Sequence, residues 1–126
     1  MYEIKVLAYF NAAHNLRGYQ GRCEKLHGHN WQVEALIGAN ELNHLGMVCD
    51  FKEIKKKLTW VLKDLDHGYL NKLDFFKKKN PTSERIAEFI YFRLKKQIKD
   101  RSLCLNKVSV WETKDSCASF TLDEDA

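Results

Sequence analysis

Tyr2, Ile4, Val6, Ala8, Phe10 and Ala12 recur at every second position, which predicts a half-buried strand running on in phase to His14. Residues 15–26 break the pattern with a polar, Gly-bearing stretch (Arg17-Gly18-Tyr19-Gln20-Gly21-Arg22), which reads as a loop. Alternation resumes at His29, Trp31, Val33, Ala35 and Ile37, a second strand. Asp50 followed by Glu53 predicts a helix N-cap with its capping-box partner. Behind it Phe51, Ile54, Leu58, Val61, Leu62 and Leu65 fall on one helical stripe. A second helix starts at Pro81-Thr82-Ser83-Glu84, with a hydroxyl cap and an early acid, and carries Ile86, Ile90, Leu94 and Ile98 inward. Lys107–Thr113 and Cys117–Leu122 predict two last strands around a Lys114-Asp115-Ser116 turn. The order is strand, strand, helix, helix, strand, strand: an α+β fold with an antiparallel sheet and its helices on one side. Such a sheet exposes two edges, and the second strand is apolar enough to demand a partner, so edges are expected to pair between subunits.

Composition narrows the function. With 126 residues and no repeat, low-complexity tract or linker, the chain predicts a single domain over residues 1–126. Hydrophobic residues make up 44% and charged residues 30%, the balance of a packed globule and not of a disordered chain. Lys and Arg outnumber Asp and Glu by 21 to 17, a net charge of +4. That surplus is too small to imply nucleic acid, though it suits an anionic small molecule. No stretch reaches the roughly 20 apolar residues of a membrane span, and the start of the chain lacks a signal peptide's apolar segment. The expected location is the cytoplasm. Cys23, Cys49, Cys104 and Cys117 are accordingly read as thiols, the last three as core thiols beside apolar positions. The lysine runs at 55–57 and 77–79 read as solvated faces.

Three of the five histidines are spaced as metal ligands. His27 and His29 leave the same face of the second strand, with Cα atoms about 6.5 Å apart. Imidazoles at that separation converge on one ion, and Gly28 between them permits close approach. His14 ends the first strand and comes alongside if the two strands are neighbours. Three His without a fourth protein ligand is the pattern of a catalytic zinc with one open position; a hydrogen-bonded His-x-His pair is the alternative. His44 lies among polar residues and reads as exposed.

Other residues carry possible chemistry. Cys23, four residues before His27, is flanked by Arg22 and Lys25, and cationic neighbours favour the thiolate that serves as base or nucleophile. Asp66-His67 follows the first helix, where the helix dipole supports an imidazolium; the pair is either a proton relay or a cap of free carbonyls. Glu112 shares a face with Val108 and Val110, so its carboxylate must be paired, protonated or turned to a ligand. The parallel N–H donors of a pterin or guanine ring are one bidentate partner, a lysine another.

The motifs Phe10-x-Ala12-Ala13-His14, Cys23-x-x-x-His27-Gly28-His29, Gly46-Met47-Val48-x-Asp50-Phe51, Leu65-Asp66-His67-x-x-Leu70-Asn71, Asn80-Pro81-Thr82-Ser83-Glu84 and Trp111-Glu112-Thr113 occur in the order of the 6-pyruvoyl-tetrahydropterin synthase family. This chain resembles that family over nearly its whole length. The three-residue gap between Cys23 and His27 resembles the branch that makes 6-carboxytetrahydropterin for queuosine and related 7-deazapurines. The resemblance implies a tunnelling fold (T-fold): a ββααββ subunit whose sheets join into a barrel in a trimer, with two trimers forming a homohexamer. It implies Zn2+ on His14, His27 and His29, Cys23 as the proton-abstracting base, Asp66 and His67 as the relay, and Glu112 anchoring the pterin with Thr82 and Ser83. The implied substrate is 7,8-dihydroneopterin triphosphate, with Arg22, Lys25 and Arg17 as cations for its phosphates and acetaldehyde and triphosphate as leaving products. A 6-pyruvoyl synthase and a non-catalytic pterin- or metal-binding oligomer are the alternatives. The chain departs from the family at Asn15, where relatives often have Arg, and at Phe120, where they commonly have Tyr.

Overall fold

Alternation decides the long strands. A computed structural model describes residues 1–20 and 24–122. In it β1 (Tyr2–His14) and β2 (His27–Ala39) pair antiparallel along their whole length, from Tyr2 opposite Ala39 to His14 opposite His27. The predicted phase holds: Val6, Ala8, Phe10 and Ala12 are buried on the same face as Trp31, Val33, Ala35 and Ile37. Phe10 and Trp31, directly opposite, stack with ring centroids 5.7 Å apart.

Helix α1 (Phe51–Leu62) is capped by Asp50, whose carboxylate accepts from the Lys52 N–H at 2.9 Å. The expected capping box does not close, because Glu53 turns to Lys57 at 3.1 Å instead. Phe51 is 60% exposed and leaves the predicted stripe, while Ile54, Leu58, Val61, Leu62 and Leu65 are buried. The chain then forms β3 (Gly68–Tyr69) and two short 3-10 turns, followed by α2 (Ser83–Gln97), β4 (Cys104–Thr113) and β5 (Ser116–Phe120). α2 is capped by the Thr82 hydroxyl, which accepts from the Arg85 N–H at 3.1 Å. It buries Ile86, Ile90 and Leu94, with Ile98 only partly covered. Both helices cover one face of the sheet, α1 against β1 and α2 against β4 and β5.

Sheet order is β3-β1-β2-β4-β5, which corrects two expectations. The sheet is not wholly antiparallel, because β3 runs parallel to β1 at Ala12 and Ala13; two residues are too few to show a period. β2 is not an edge either. β4 pairs with its far side from Gln32–Trp111 to Gly38–Cys104, so its apolar character is satisfied within the chain. The cysteine reading also changes: Cys49 packs partly buried against the core, but Cys104 and Cys117 are exposed. Among the described residues no helix is long and apolar enough to cross a membrane.

Candidate metal centre

The antiparallel register brings His14 directly opposite His27 and sets His29 one pair further, opposite Ala12. All three side chains therefore leave the helix-covered face at one end of the sheet. Glu112 arrives from β4. Trp111 pairs with Cys117 and Thr113 with Ser116, so Glu112 is the extra residue of a bulge, without a partner in β5. Bulges re-aim side chains, and here the carboxylate points into the histidines. One ligand atom from each of His14, His27, His29 and Glu112 lies within 4.8 Å of every other.

Tautomers decide what this cluster is. His14 Nδ1 lies 2.8 Å from the Pro81 carbonyl, and His27 Nδ1 lies 2.9 Å from the Lys25 carbonyl. A carbonyl only accepts, so both Nδ1 atoms carry the proton and both neutral rings present a bare Nε2. Those two Nε2 atoms are 3.0 Å apart. Glu112 Oε1 is 2.9 Å from His14 Nε2, 3.5 Å from His27 Nε2 and 2.8 Å from His29 Nε2. His29 Nε2 is buried and makes no hydrogen bond, because Glu112 stands off its N–H direction. Lone pairs and a carboxylate thus converge on one point. A tetrahedral ion with bonds of about 2.0–2.1 Å sets its ligand atoms roughly 3.3 Å apart, close to these separations. The residues fit a divalent cation, held by three imidazoles and a carboxylate.

Burial and charge pull the rings in opposite directions. The Lys25 carbonyl, with Glu24 and Glu112 nearby, raises the pKa of His27. Burial lowers that of His29 despite Glu112, which keeps it neutral and ready to ligate. His14 is 2% exposed and is boxed by the edges of His27, His29 and Trp31, with ring centroids 4.6, 5.5 and 4.9 Å away.

The remaining predicted residues fall into three groups. Cys23 and Arg22 lie outside the described residues. Thr82 and Ser83 adjoin Pro81 and so stand beside His14, but the Thr82 hydroxyl is engaged as a cap. Lys25 meets the cluster through its carbonyl. Arg17 donates from its guanidinium to the backbone carbonyls of Phe76, Lys77 and Lys79. α1 stops at Leu62, and a turn anchored by buried Leu65 follows, in which the Asp66 N–H bonds the Leu62 carbonyl at 2.9 Å and so closes the helix end through its backbone, with His67 one residue beyond. Asp66 Oδ1 accepts from the Asn11 N–H at 2.8 Å and Oδ2 lies 3.4 Å from His67 Nε2. His67 takes φ +58°, a left-handed value that histidine tolerates better than most, and its side chain is 77% exposed. The two sit on the β1 edge away from β2 and make no described contact with the cluster. Glu112, which the sequence assigned to the pterin, brings its Oε1 within reach of all three imidazoles and so could also serve as a ligand. The Pro81 and Lys25 carbonyls were not foreseen, because backbone atoms carry no residue signature.

An α+β sheet with two helices on one face and a three-histidine, one-carboxylate centre at its end defines the class of protein. The 6-pyruvoyl tetrahydropterin synthase family profile matches residues 3–123, and the chain belongs to that family. It is 36% identical over 116 residues to the 6-carboxy-5,6,7,8-tetrahydropterin synthase of Synechocystis sp., covering 88% of this chain and 86% of that one. It is 37% identical over 105 residues to the dihydroneopterin monophosphate aldolase of Pyrococcus furiosus, covering 83% and 84%. The solved 6-pyruvoyl tetrahydropterin synthase of Caenorhabditis elegans superposes with a TM-score of 0.82 at 27% identity, over 97% of this chain and 96% of that one.

Proposed function

We propose that this protein is a zinc-dependent 6-carboxy-5,6,7,8-tetrahydropterin synthase, converting 7,8-dihydroneopterin triphosphate to 6-carboxytetrahydropterin with release of acetaldehyde and triphosphate, in 7-deazapurine (queuosine) biosynthesis. One observation carries it: two histidines forced into the Nδ1–H tautomer aim bare Nε2 atoms at each other across 3.0 Å, beside a carboxylate oxygen. The spacing of Cys23 and His27 and the names of the curated relatives favour the carboxy product.

His14, His27 and His29 hold the ion, which supplies Lewis-acid polarisation of substrate hydroxyls. Glu112 either completes the ligand set or turns to the pterin's paired N–H donors, since its Oε1 already reaches the imidazoles. Asp66, fixed by the Asn11 N–H, steadies the exposed His67 ring as a proton carrier. Cys23, four residues before His27 in the sequence, is the base. Subunits join through the outer edge of β1 and through β5 into a barrel, trimeric and then hexameric, which places a neighbour's residues over the site.

A second reading has one observation in its favour. Arg17 uses three of its five N–H donors on backbone carbonyls, which leaves fewer for phosphate oxygens and suits a substrate with fewer phosphates. Cleavage of dihydroneopterin monophosphate, as named for the P. furiosus relative, is that alternative. Mass analysis after incubating zinc-loaded protein with dihydroneopterin mono- and triphosphate separates them. Acetaldehyde with a 6-carboxylate is expected from the triphosphate. A pyruvoyl product without acetaldehyde indicates a 6-pyruvoyl synthase, turnover of the monophosphate alone indicates the aldolase, and no turnover of either leaves a binding protein.

A further inference from the structure

β1 ends at His14, yet its backbone remains paired for three residues more. Asn71 Oδ1 accepts from the Asn15 N–H at 3.0 Å, and Asn71 Nδ2 donates to the Asn15 carbonyl at 2.8 Å. Asn80 repeats the exchange on Arg17, accepting from its N–H at 2.8 Å and donating to its carbonyl at 2.9 Å. A side-chain amide carries the same donor and acceptor as a peptide unit, so each asparagine reproduces the two-bond exchange of an antiparallel pair. Residues 15 and 17 are two apart and present these groups on one edge of an extended chain. Asn11, whose N–H meets Asp66 and whose carbonyl meets the His67 N–H, lies on the same edge. The ladder thus passes from backbone to side-chain partners where the metal ligand sits.

What the two amides tie together is specific. Asn15 follows His14 in the chain. Pro81, whose carbonyl takes the His14 Nδ1 proton, follows Asn80. The side chain of Arg17 adds a second hold on the same turn, through the carbonyls of Phe76, Lys77 and Lys79. Tyr69 donates to Asn15 Oδ1 at 2.8 Å, and Asn15 Nδ2 donates to the Glu24 carbonyl at 3.2 Å, which connects the clamp to the residues before His27. On the chain next to both partners of the one hydrogen bond that sets the His14 tautomer, the backbone is held by asparagine side chains, in addition to the strand pairing of His14 and the burial of His14 and Pro81.

We infer that Asn71 and Asn80 are positioning residues of the metal centre: by pairing with the backbone of Asn15 and Arg17 they keep the Pro81 carbonyl on His14 Nδ1 and so keep the His14 Nε2 lone pair aimed at the ion. The inference rests on the metal reading above. A clamp that served stability alone would lower the unfolding midpoint but leave the His14 tautomer and the metal affinity of the folded protein unchanged.

Asn80→Asp and Asn71→Asp test it, because the carboxylate is nearly isosteric, still accepts from the N–H, and sets a second acceptor against the carbonyl. Zinc affinity is measured by chelator competition and referred to the folded fraction in the same sample. The His14 tautomer is read from long-range nitrogen–proton imidazole spectra of the metal-free protein. Asn80→Asp is expected to weaken zinc binding about 10–100-fold, the range for outer-sphere partners of a ligating histidine, and to lose the pure Nδ1–H signature; Asn71→Asp moves both the same way. Either variant suffices if the other does not fold. Wild-type affinity and tautomer in a folded variant overturn the inference alone. A wild-type protein that binds no zinc overturns the metal reading, and this inference with it.

Discussion

A histidine is committed as a ligand when its other nitrogen is occupied. Sequence spacing singled out His14, His27 and His29, but the commitment of His14 and His27 comes from the carbonyls of Pro81 and Lys25, which no residue type announces. Glu112 shows the opposite case: its face was legible from Val108 and Val110, while the bulge that leaves it without a β5 partner is not revealed by alternation. The cysteines divide by environment. Burial, with Glu53 as a lesser cause, raises the Cys49 thiol above the ordinary range, whereas Cys104 and Cys117 are exposed. Since thiolate is the reactive form, iodoacetamide at pH 8, mapped by mass, should label Cys49 roughly an order of magnitude more slowly than Cys104. A folded-state pKa above the unfolded one also means that Cys49 favours the folded state less as pH rises past about 9. Equal labelling of the two cysteines in the native protein would contradict the burial argument.

Strands and helices were the most legible scale, because burial of one face imposes the period. The boundaries moved where local chemistry intervened: α1 ends at Leu62, short of the predicted Leu65, because the chain must turn to deliver Asp66 and His67 to Asn11. Two glycines in β2 make opposite predictions. Among the described residues a Cβ at Gly28 meets nothing nearer than the Ala12 carbonyl at 3.9 Å, so close approach to them does not require glycine there. Gly28→Ala should be neutral or stabilise by up to about 0.5–1 kcal/mol in urea unfolding. A Cβ at Gly38 falls 2.6 Å from Asn106 Nδ2 and 2.9 Å from Met1 Sδ. Gly38→Ala must then push Asn106, the extra residue of the other β4 bulge, off its 2.8 Å bond to Glu3, at a cost of about 1 kcal/mol. A marked loss of stability in Gly28→Ala would show that another surface packs on that face.

For the molecule as a whole, the cluster joins β1, β2 and β4 at one end of the sheet, and through Pro81 it reaches the start of α2. An ion bound there and not to the unfolded chain stabilises by about 2.7 kcal/mol at a hundredfold excess over its Kd. Zinc should therefore raise the unfolding midpoint, a chelator should lower it again, and His29→Ala should abolish the shift while the metal-free protein still unfolds cooperatively. A zinc shift that survives His29→Ala would place the ion elsewhere. At the other end, a cavity of about 520 Å³ between the loop after β2, α1 and the segment after α2 is lined by Met47, Asp50 and Leu103 and by none of the histidines.

The sequence by itself determined the strand phases, the two caps, the inward faces and the three histidines, since each follows from a short period or a fixed spacing along the chain. Only the tertiary structure decided that β2 is central, that Glu112 joins the imidazoles, that Arg17 serves the backbone, and which nitrogen of each ring is free. Apart from the Lys25 carbonyl, two residues before His27, those are outcomes of pairing between residues 13 to 98 positions apart, where hydrogen-bond geometry, not local pattern, selects the partner.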